Sequence, residues 1–98
     1  MTSEDLLEVE HLPQRFVLRL PGGKKCYLKY RLEGSTLYID KVYTPEEYRN
    51  RGFAEKLVEE ALRYAEGSSL AVVPKCSYAK RYFEKHPEKS FLLKPSTS

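Results

Sequence analysis

The chain has 98 residues, the size of a single domain, and a formal net charge of +3 at pH 7. No stretch approaches the ~20 apolar residues of a membrane-spanning helix, and the acidic segment from Met1 to Glu10 lacks the basic-then-apolar pattern of a secretion signal. We therefore expect a cytoplasmic protein that does not enter a membrane. Cys26 and Cys76 form no zinc-binding spacing with the two histidines, so two free thiols and no metal site are expected.

Three strands are predicted in the first half of the chain. Residues 1–13 read as a weakly ordered, acidic lead-in. Residues 14–20 alternate between apolar and polar, which is typical of a half-buried strand. The turn Pro21-Gly22-Gly23 leads into a strand over residues 24–33, whose predicted inward side chains are Cys26, Leu28, Tyr30 and Leu32. A third strand is predicted over residues 36–43, and the short connections favour an antiparallel meander.

The spacing of the apolar residues changes in the second half of the chain, from alternation to a helical repeat. Apolar residues recur at three- and four-residue steps from Phe53, which predicts a helix ending near Gly67. Residues 69–73 predict a buried strand parallel to the third strand. A second helix capped by Ser77 is expected to stop before Pro87, and residues 91–93 suggest a last edge strand. The order is β-β-β-α-β-α-(β), an α+β single domain over residues 1–98 with an ordered core over about 14–93.

The loop between the third strand and the first helix has the composition of an anion site. It runs from Tyr43 to Ala54 and contains Arg49, Arg51 and Gly52. A helix N-terminus directs free N–H groups and positive dipole charge at one point, and glycine lets an anion approach the backbone closely. The two arginines can add bidentate hydrogen bonds to phosphate. The alternative is an ordinary turn with two exposed arginines.

Two motifs resemble the GNAT superfamily of N-acetyltransferases. Arg49-x-x-Gly52-x-Ala54 resembles the (Gln/Arg)-x-x-Gly-x-(Gly/Ala) signature that grips the pyrophosphate of acetyl-CoA. The segment Val72–Tyr78, followed by Tyr82–Glu88, resembles a small branch of the superfamily with a Pro-x-Cys-Ser motif and a closing His-Pro-Glu. The two motifs occur in the family's order and spacing, and the resemblance covers roughly residues 14–93.

The resemblance implies a GNAT-like mixed sheet, mostly antiparallel and flanked by two helices, with pantetheine between splayed strands. It implies acetyl-CoA as cofactor and transfer of the acetyl group to an unidentified amine of a protein or small molecule. Direct transfer would use backbone N–H groups of the strand before the loop to polarise the thioester carbonyl. The implied cofactor-binding residues are Val42, Tyr43, Thr44, Arg49, Asn50, Arg51, Gly52, Phe53, Ala54, Tyr78 and Tyr82.

Cys76 is the candidate catalytic residue. It precedes a predicted helix N-terminus and follows Lys75, and both features favour the thiolate. The resemblance implies that Cys76 lies near the cofactor thiol, and three roles are open. Cys76 could be a nucleophile that accepts the acetyl group, it could lie beside the cofactor without covalent chemistry, or it could be a packing residue. His86 is ten helical residues away, about 15 Å, so it cannot form a dyad with Cys76 and is expected to end the helix.

The sequence does not identify the general acid or the general base. Phe83 stands where many GNAT enzymes have the tyrosine that protonates the departing thiolate, which leaves Tyr78 and Tyr82 as substitutes. Asp40 is the only carboxylate in the preceding strand. A non-catalytic coenzyme A-binding or protein-interaction module is therefore the alternative function. Nucleic-acid binding through the lysines and Tyr27, Tyr30 and Tyr38 is not expected, because no nucleic-acid-binding fold is recognised.

Overall fold

The computed structural model describes residues 8–95, and residues 1–7 and 96–98 lie outside the described part. In chain order its strands and α-helices are β1 Val9–Leu12, β2 Arg15–Arg19, β3 Lys25–Glu33, β4 Thr36–Tyr43, α1 Phe53–Gly67, β5 Ala71–Pro74 and α2 Ser77–Lys85. Short 3₁₀ segments cover Pro21–Gly23, Glu46–Tyr48 and Pro87–Leu92.

The five strands form one sheet in the order β1-β2-β3-β4-β5. Neighbours from β1 to β4 pair antiparallel, because tight turns connect them. β5 pairs parallel to β4, because the chain must cross the sheet through α1 before it returns. This mixed, mostly antiparallel sheet confirms the predicted architecture.

Both helices pack on one face of the sheet. The apolar stripe of α1 and the inward side of α2 join the inward strand residues in a single buried cluster. The helix residues buried there are Leu57, Val58, Ala61, Leu62 and Ala65 of α1, and Ala79, Tyr82 and Phe83 of α2. Full burial of one large apolar side chain contributes roughly 1.5–3 kcal/mol, so this stripe fixes both helices on the sheet. The opposite face has no helix among the described elements.

The lead-in prediction is wrong for Val9–Leu12, which forms β1 and pairs with β2. The reason is a set of contacts distant in sequence. The His11 ring stacks on Phe16 with ring centroids 4.2 Å apart, and its Nε2 lies 2.5 Å from the Tyr30 hydroxyl. Because these partners lie on β2 and β3, local alternation does not reveal the strand.

Two further predictions are corrected. Residues 91–93 do not form an edge strand: Pro87–Leu92 is a 3₁₀ segment, followed by one isolated bridge between Leu93 and Val72. Pro87 fixes its own φ and starts this turn, and only Leu92 within it is buried. Leu32, predicted to point inward, is 46% exposed and lies near the end of the β3–β4 hairpin.

Candidate functional site

β4 and β5 separate at one end of the sheet. Their last registered pair is Ile39 with Pro74, whereas β4 continues to Tyr43. The N–H groups of Lys75 and Cys76 both donate to the Ile39 carbonyl, at 2.9 and 3.3 Å, and the chain then turns into α2. The end of β4 is therefore free of a strand partner on its β5 side.

A β-bulge shapes this free end. The β3–β4 register pairs Lys29 with Lys41 and Tyr30 with Ile39, so Asp40 is the extra residue. The bulge shifts the alternation of β4, so Val42 packs against the core, whereas Lys41 is exposed. Asp40 is held by Arg31, whose Nε and Nη2 donate to its carboxylate at 2.6 and 3.1 Å.

A cavity of about 450 Å³ lies beyond the split between β4 and β5. The end of β4, the following loop, the first turn of α1 and one side of α2 form its walls. Its lining residues are Val42, Tyr43, Thr44, Tyr48, Arg49, Asn50, Gly52, Phe53, Ala54, Tyr78, Arg81 and Lys85. This is the size of a small-molecule site.

The N-terminus of α1 opens into this cavity. Its cap residue, Gly52, adopts a left-handed φ of 82° and has no side chain with which to accept a hydrogen bond. Lys56 N–H donates to the Gly52 carbonyl at 3.1 Å, which is the first i→i−4 bond of the helix. The preceding N–H groups have no intrahelical acceptor, as at every helix start. Free donors and the positive helix end therefore face the cavity.

The charged residues of the lining are all basic. Arg49, Arg81 and Lys85 contribute cations, and no carboxylate is among the lining residues that the structure describes. Arg49 Nε also donates to the Thr44 carbonyl at 3.2 Å, which ties the loop to the end of β4. Electrostatically, the cavity suits an elongated anion.

Residues 15–92 match the family profile of the GCN5-related N-acetyl-transferases. The chain belongs to this family. The fold is also similar to the solution structure of a GCN5-like protein from Staphylococcus aureus, provisionally assigned as an N-acetyltransferase, with a TM-score of 0.70 and 19% identity. That match covers 93% of this chain and 91% of the other. No curated protein gave a match.

Membership in the GCN5-related family confirms the predicted GNAT relationship and supports acetyl transfer as the general chemistry of the fold. The narrower Pro-x-Cys-Ser branch stays a prediction. No helix within residues 8–95 has the length and apolar character needed to cross a bilayer.

Most residues predicted to hold the cofactor lie around this cavity of the GCN5-related fold, but Arg51 and Tyr82 do not line it. The Arg51 guanidinium carbon lies 5.4 Å from the ring centroid of Tyr48. Tyr82 is 4% exposed in the core, where its ring stacks on His86. Burial above all, together with the charges of Glu59 and Glu55, raises the pKa of Tyr82 to about 12.

Three lining residues, Tyr48, Arg81 and Lys85, are not among the cofactor-binding residues predicted from the sequence. A signal for two of them was present, because Tyr78, Arg81 and Lys85 follow each other at three- and four-residue steps on one side of α2. Tyr48 ends the 3₁₀ segment in the loop, and its hydroxyl donates to the Pro21 carbonyl at 3.3 Å. Its position depends on this contact with a distant turn.

Tyr78 is a lining residue that could donate a proton. It lies in the first turn of α2, lines the cavity and is 37% exposed. Partial burial raises the pKa of its hydroxyl, and the negative charges of Glu55 and Glu59 raise it further. The hydroxyl therefore stays protonated at neutral pH and is available as an acid.

Cys76, not Ser77, caps α2. Its Sγ accepts a hydrogen bond from the Ala79 N–H at 3.4 Å, because Cys76 is the extended residue immediately before the helix. Cys76 lies where β4 and β5 part, but it is not a lining residue of the cavity. His86 ends α2 as predicted, and its ring nitrogens lie near Glu88 and Glu55, at 3.1 and 3.7 Å.

Proposed function

We propose that this protein binds acetyl-CoA in the cavity and transfers the acetyl group to an amine. The observation that carries the proposal is the uncapped N-terminus of α1, which opens into a cavity with basic and no acidic lining residues. Pyrophosphate would accept hydrogen bonds from the N–H groups of the first turn, around Phe53 and Ala54, and gain from the helix dipole. Arg49 would add a charged donor beside it.

The opposite wall would hold the rest of the cofactor. Arg81 and Lys85 lie one helical turn apart on α2, and within the described chain neither forms an ion pair. Their charges suit the remaining phosphate of coenzyme A. Val42 and Tyr43, at the free end of β4, would border the thioester arm.

Direct transfer follows from these positions. The amine nitrogen would attack the thioester carbonyl carbon, forming a C–N bond as the C–S bond breaks. N–H groups on the free edge of β4 would polarise the carbonyl oxygen. Tyr78 would give its proton to the departing thiolate, and the proton lost by the attacking nitrogen would restore the Tyr78 hydroxyl, directly or through solvent. The amine must arrive uncharged, since no carboxylate or imidazole is among the lining residues of the described chain.

The second candidate is a coenzyme A-binding module without catalysis. Two observations favour it, because the Asp40 carboxylate and the Cys76 thiol, the other candidate catalytic groups, both hydrogen-bond to groups of the protein itself. Asp40 is bound by Arg31, and the Cys76 thiol accepts the helix N–H of Ala79. In this case the cavity would hold the cofactor but release no thiol when amines are added.

A thiol-release assay distinguishes the two candidates. Acetyl-CoA is mixed with the protein and with polyamines or lysine-containing peptides. Transfer predicts amine-dependent thiol release that falls about 10- to 100-fold in Tyr78→Phe, with acetyl-CoA affinity within about twofold of wild type. Tyr38→Phe, which removes a hydroxyl outside the cavity, should match wild type. Cofactor binding without release for any amine would favour the module.

Intact-mass analysis of the protein after incubation with acetyl-CoA tests whether the acetyl group is transferred directly or through an intermediate on Cys76. Direct transfer predicts no acetyl adduct and an unchanged rate in Cys76→Ala. An adduct that disappears in Cys76→Ala would instead establish an acyl-enzyme on that thiol.

A further inference from the structure

The helix-free face of the sheet carries a row of three cations. Arg15 of β2 lies opposite Lys29 of β3, and Lys29 lies opposite Lys41 of β4. All three residues are exposed. Directly opposed residues on antiparallel strands have Cβ atoms about 4.5–5.5 Å apart, so this row is a line of like charges across three strands.

The row has no counter-ions in the described part of the chain. None of its three cations forms an ion pair there. Nearby acidic side chains bind other arginines: Glu10 binds Arg19 at 2.5 Å, and Asp40 and Glu33 both bind Arg31.

An unpaired row of this kind weakens the sheet, because like charges directly opposite each other repel. Residues at these exposed positions are not required by packing. A row that lowers stability without serving the core is best explained by a partner that supplies the negative charge.

An apolar row runs beside the cations. Val17, Tyr27 and Tyr43 are in register on the same three strands, two residues along from the cation row. Val17 is buried, so Tyr27 and Tyr43 form the accessible part of this row. The spacing of the two rows along the strands is therefore about 6.7 Å. The Tyr27 and Tyr43 ring centroids are 5.3 Å apart, and Tyr43 is 39% exposed. The face thus presents a basic stripe parallel to an aromatic one.

We propose that this face docks an acidic amphipathic helix of a partner protein. Carboxylates at i, i+4 and i+8 of a helix lie about 5–6 Å apart, which matches the strand spacing of about 4.8 Å. An apolar stripe on the same helix would meet the aromatic row. An extended acidic strand fits less well, because its same-side residues repeat at about 6.7 Å.

Single-stranded nucleic acid also fits less well. Base stacking needs open ring faces. Here Lys41 lies 5.9 Å from the Tyr27 ring centroid, and the Arg31 guanidinium carbon lies 4.9 Å from that of Tyr38. These cations already occupy one face of each ring, which leaves less open ring surface for base stacking.

The test uses a fluorescein-labelled helical peptide of about 18 residues, or five turns, with a glutamate stripe beside a leucine stripe. Fluorescence anisotropy should show binding that weakens with salt. Lys29→Glu, at the centre of the row, should lower affinity at least about tenfold. Lys80→Glu makes the same charge change on an exposed residue of α2 and should leave affinity unchanged.

A second readout needs no partner. Lys29→Glu places a carboxylate between two cations, so its thermal unfolding midpoint should rise by about 2–6 °C, whereas Lys80→Glu should not show this rise. No rise would contradict the repulsion argument.

Four binding outcomes would overturn the proposal. These are no peptide binding, equal loss of binding in Lys80→Glu, tighter binding of single-stranded oligothymidylate than of the peptide, or peptide binding only after removal of residues 1–7. The last would indicate that the acidic start of this chain occupies the face.

Discussion

The two helix N-termini of this protein begin differently, although both lie near the split between β4 and β5. α1 begins after Gly52, which has no side-chain acceptor, whereas α2 begins after Cys76, whose thiol accepts the Ala79 N–H. Both helix ends carry the same kind of backbone dipole. The cap residue therefore determines whether the N–H groups of the first turn stay available to a ligand, as in α1, or whether one of them is bound within the protein, as in α2.

The two helices contribute to the cavity in correspondingly different ways. α1 presents its end, with the first-turn residues Phe53 and Ala54 in the lining. α2 presents a side, the stripe of Tyr78, Arg81 and Lys85. Backbone donors on one wall and flexible cations on the other suit a ligand with more than one anionic group.

The largest effect is expected from Gly52→Asp, which would close the open helix end. The new carboxylate would occupy the proposed phosphate position and lower acetyl-CoA affinity about 100-fold, or 2.7 kcal/mol. A Cβ at Gly52 meets no atom within 4 Å, so the fold should persist at a strain cost of about 1–2 kcal/mol. Calorimetric titration and thermal unfolding measure the two effects.

Gly34→Asp is the matched control for that substitution. Gly34 also has a positive φ and open space around a Cβ, but it lies in the β3–β4 turn. It should show a similar loss of stability and unchanged acetyl-CoA affinity. Equal loss of affinity in both variants would contradict the proposed role of the α1 N-terminus.

The next effect concerns what holds α2 in place. The pKa of Tyr82 is raised from 10.0 to about 12 in the folded state, chiefly by burial. Folding thus favours the neutral phenol, so its contribution is complete below pH 10 and is lost as the pH rises towards 12. We expect a loss of about 2 kcal/mol in unfolding free energy over this interval.

Denaturant titrations across that interval provide the measurement. Tyr82→Phe cannot ionise at this position and should lose less stability than wild type between pH 10 and 12. Tyr38→Phe should retain the wild-type loss. Identical pH profiles for Tyr82→Phe and wild type would show that α2 is not anchored in this way.

A smaller effect is expected on the α2 wall. Arg81→Ala and Lys85→Ala should each weaken acetyl-CoA binding about fivefold, near 1 kcal/mol, because both side chains are exposed and screened by solvent. Each should also reduce the salt dependence of binding. Lys80→Ala, one residue away but outside the lining, is the control. An equal effect in that control would indicate general charge attraction alone.

The smallest effect is expected at the closed helix end. Cys76→Ala removes the cap of α2 and should reduce unfolding free energy by about 0.5–1 kcal/mol. Cys76→Ser restores an acceptor and should recover most of it. Acetyl-CoA affinity should stay within about twofold in both, because Cys76 does not line the cavity. A large loss of affinity would place the thiol in the binding site.

The strand, loop and helix that form the α1 side of the cavity could largely be predicted from local sequence. The residues of β4, the start of α1 at Phe53 and its end at Gly67 follow from apolar periodicity and from glycine at both ends. The loop from Arg49 to Ala54 was recognisable because the donors, the glycine and the helix start are consecutive in the chain.

Features that depend on distant contacts could not be predicted in this way. β1 is held by the contact of His11 with Tyr30, 19 residues further along the chain, and the bulge at Asp40 is defined by its pairing with β3. Cys76 replaces Ser77 as the cap because α2 begins one residue earlier than the residue preferences suggest. The side of α2 that faces the cavity is set by packing of its buried residues, which left Arg81 and Lys85 unassigned.

Calorimetric titration of the wild-type protein with acetyl-CoA tests the central proposal most directly. We expect binding of one acetyl-CoA per chain, with affinity that decreases as salt is raised, because phosphate contacts would dominate the site. Absence of binding at saturating acetyl-CoA, in a sample shown to be folded, would contradict it. The loop before α1 would then be an ordinary strand-to-helix turn.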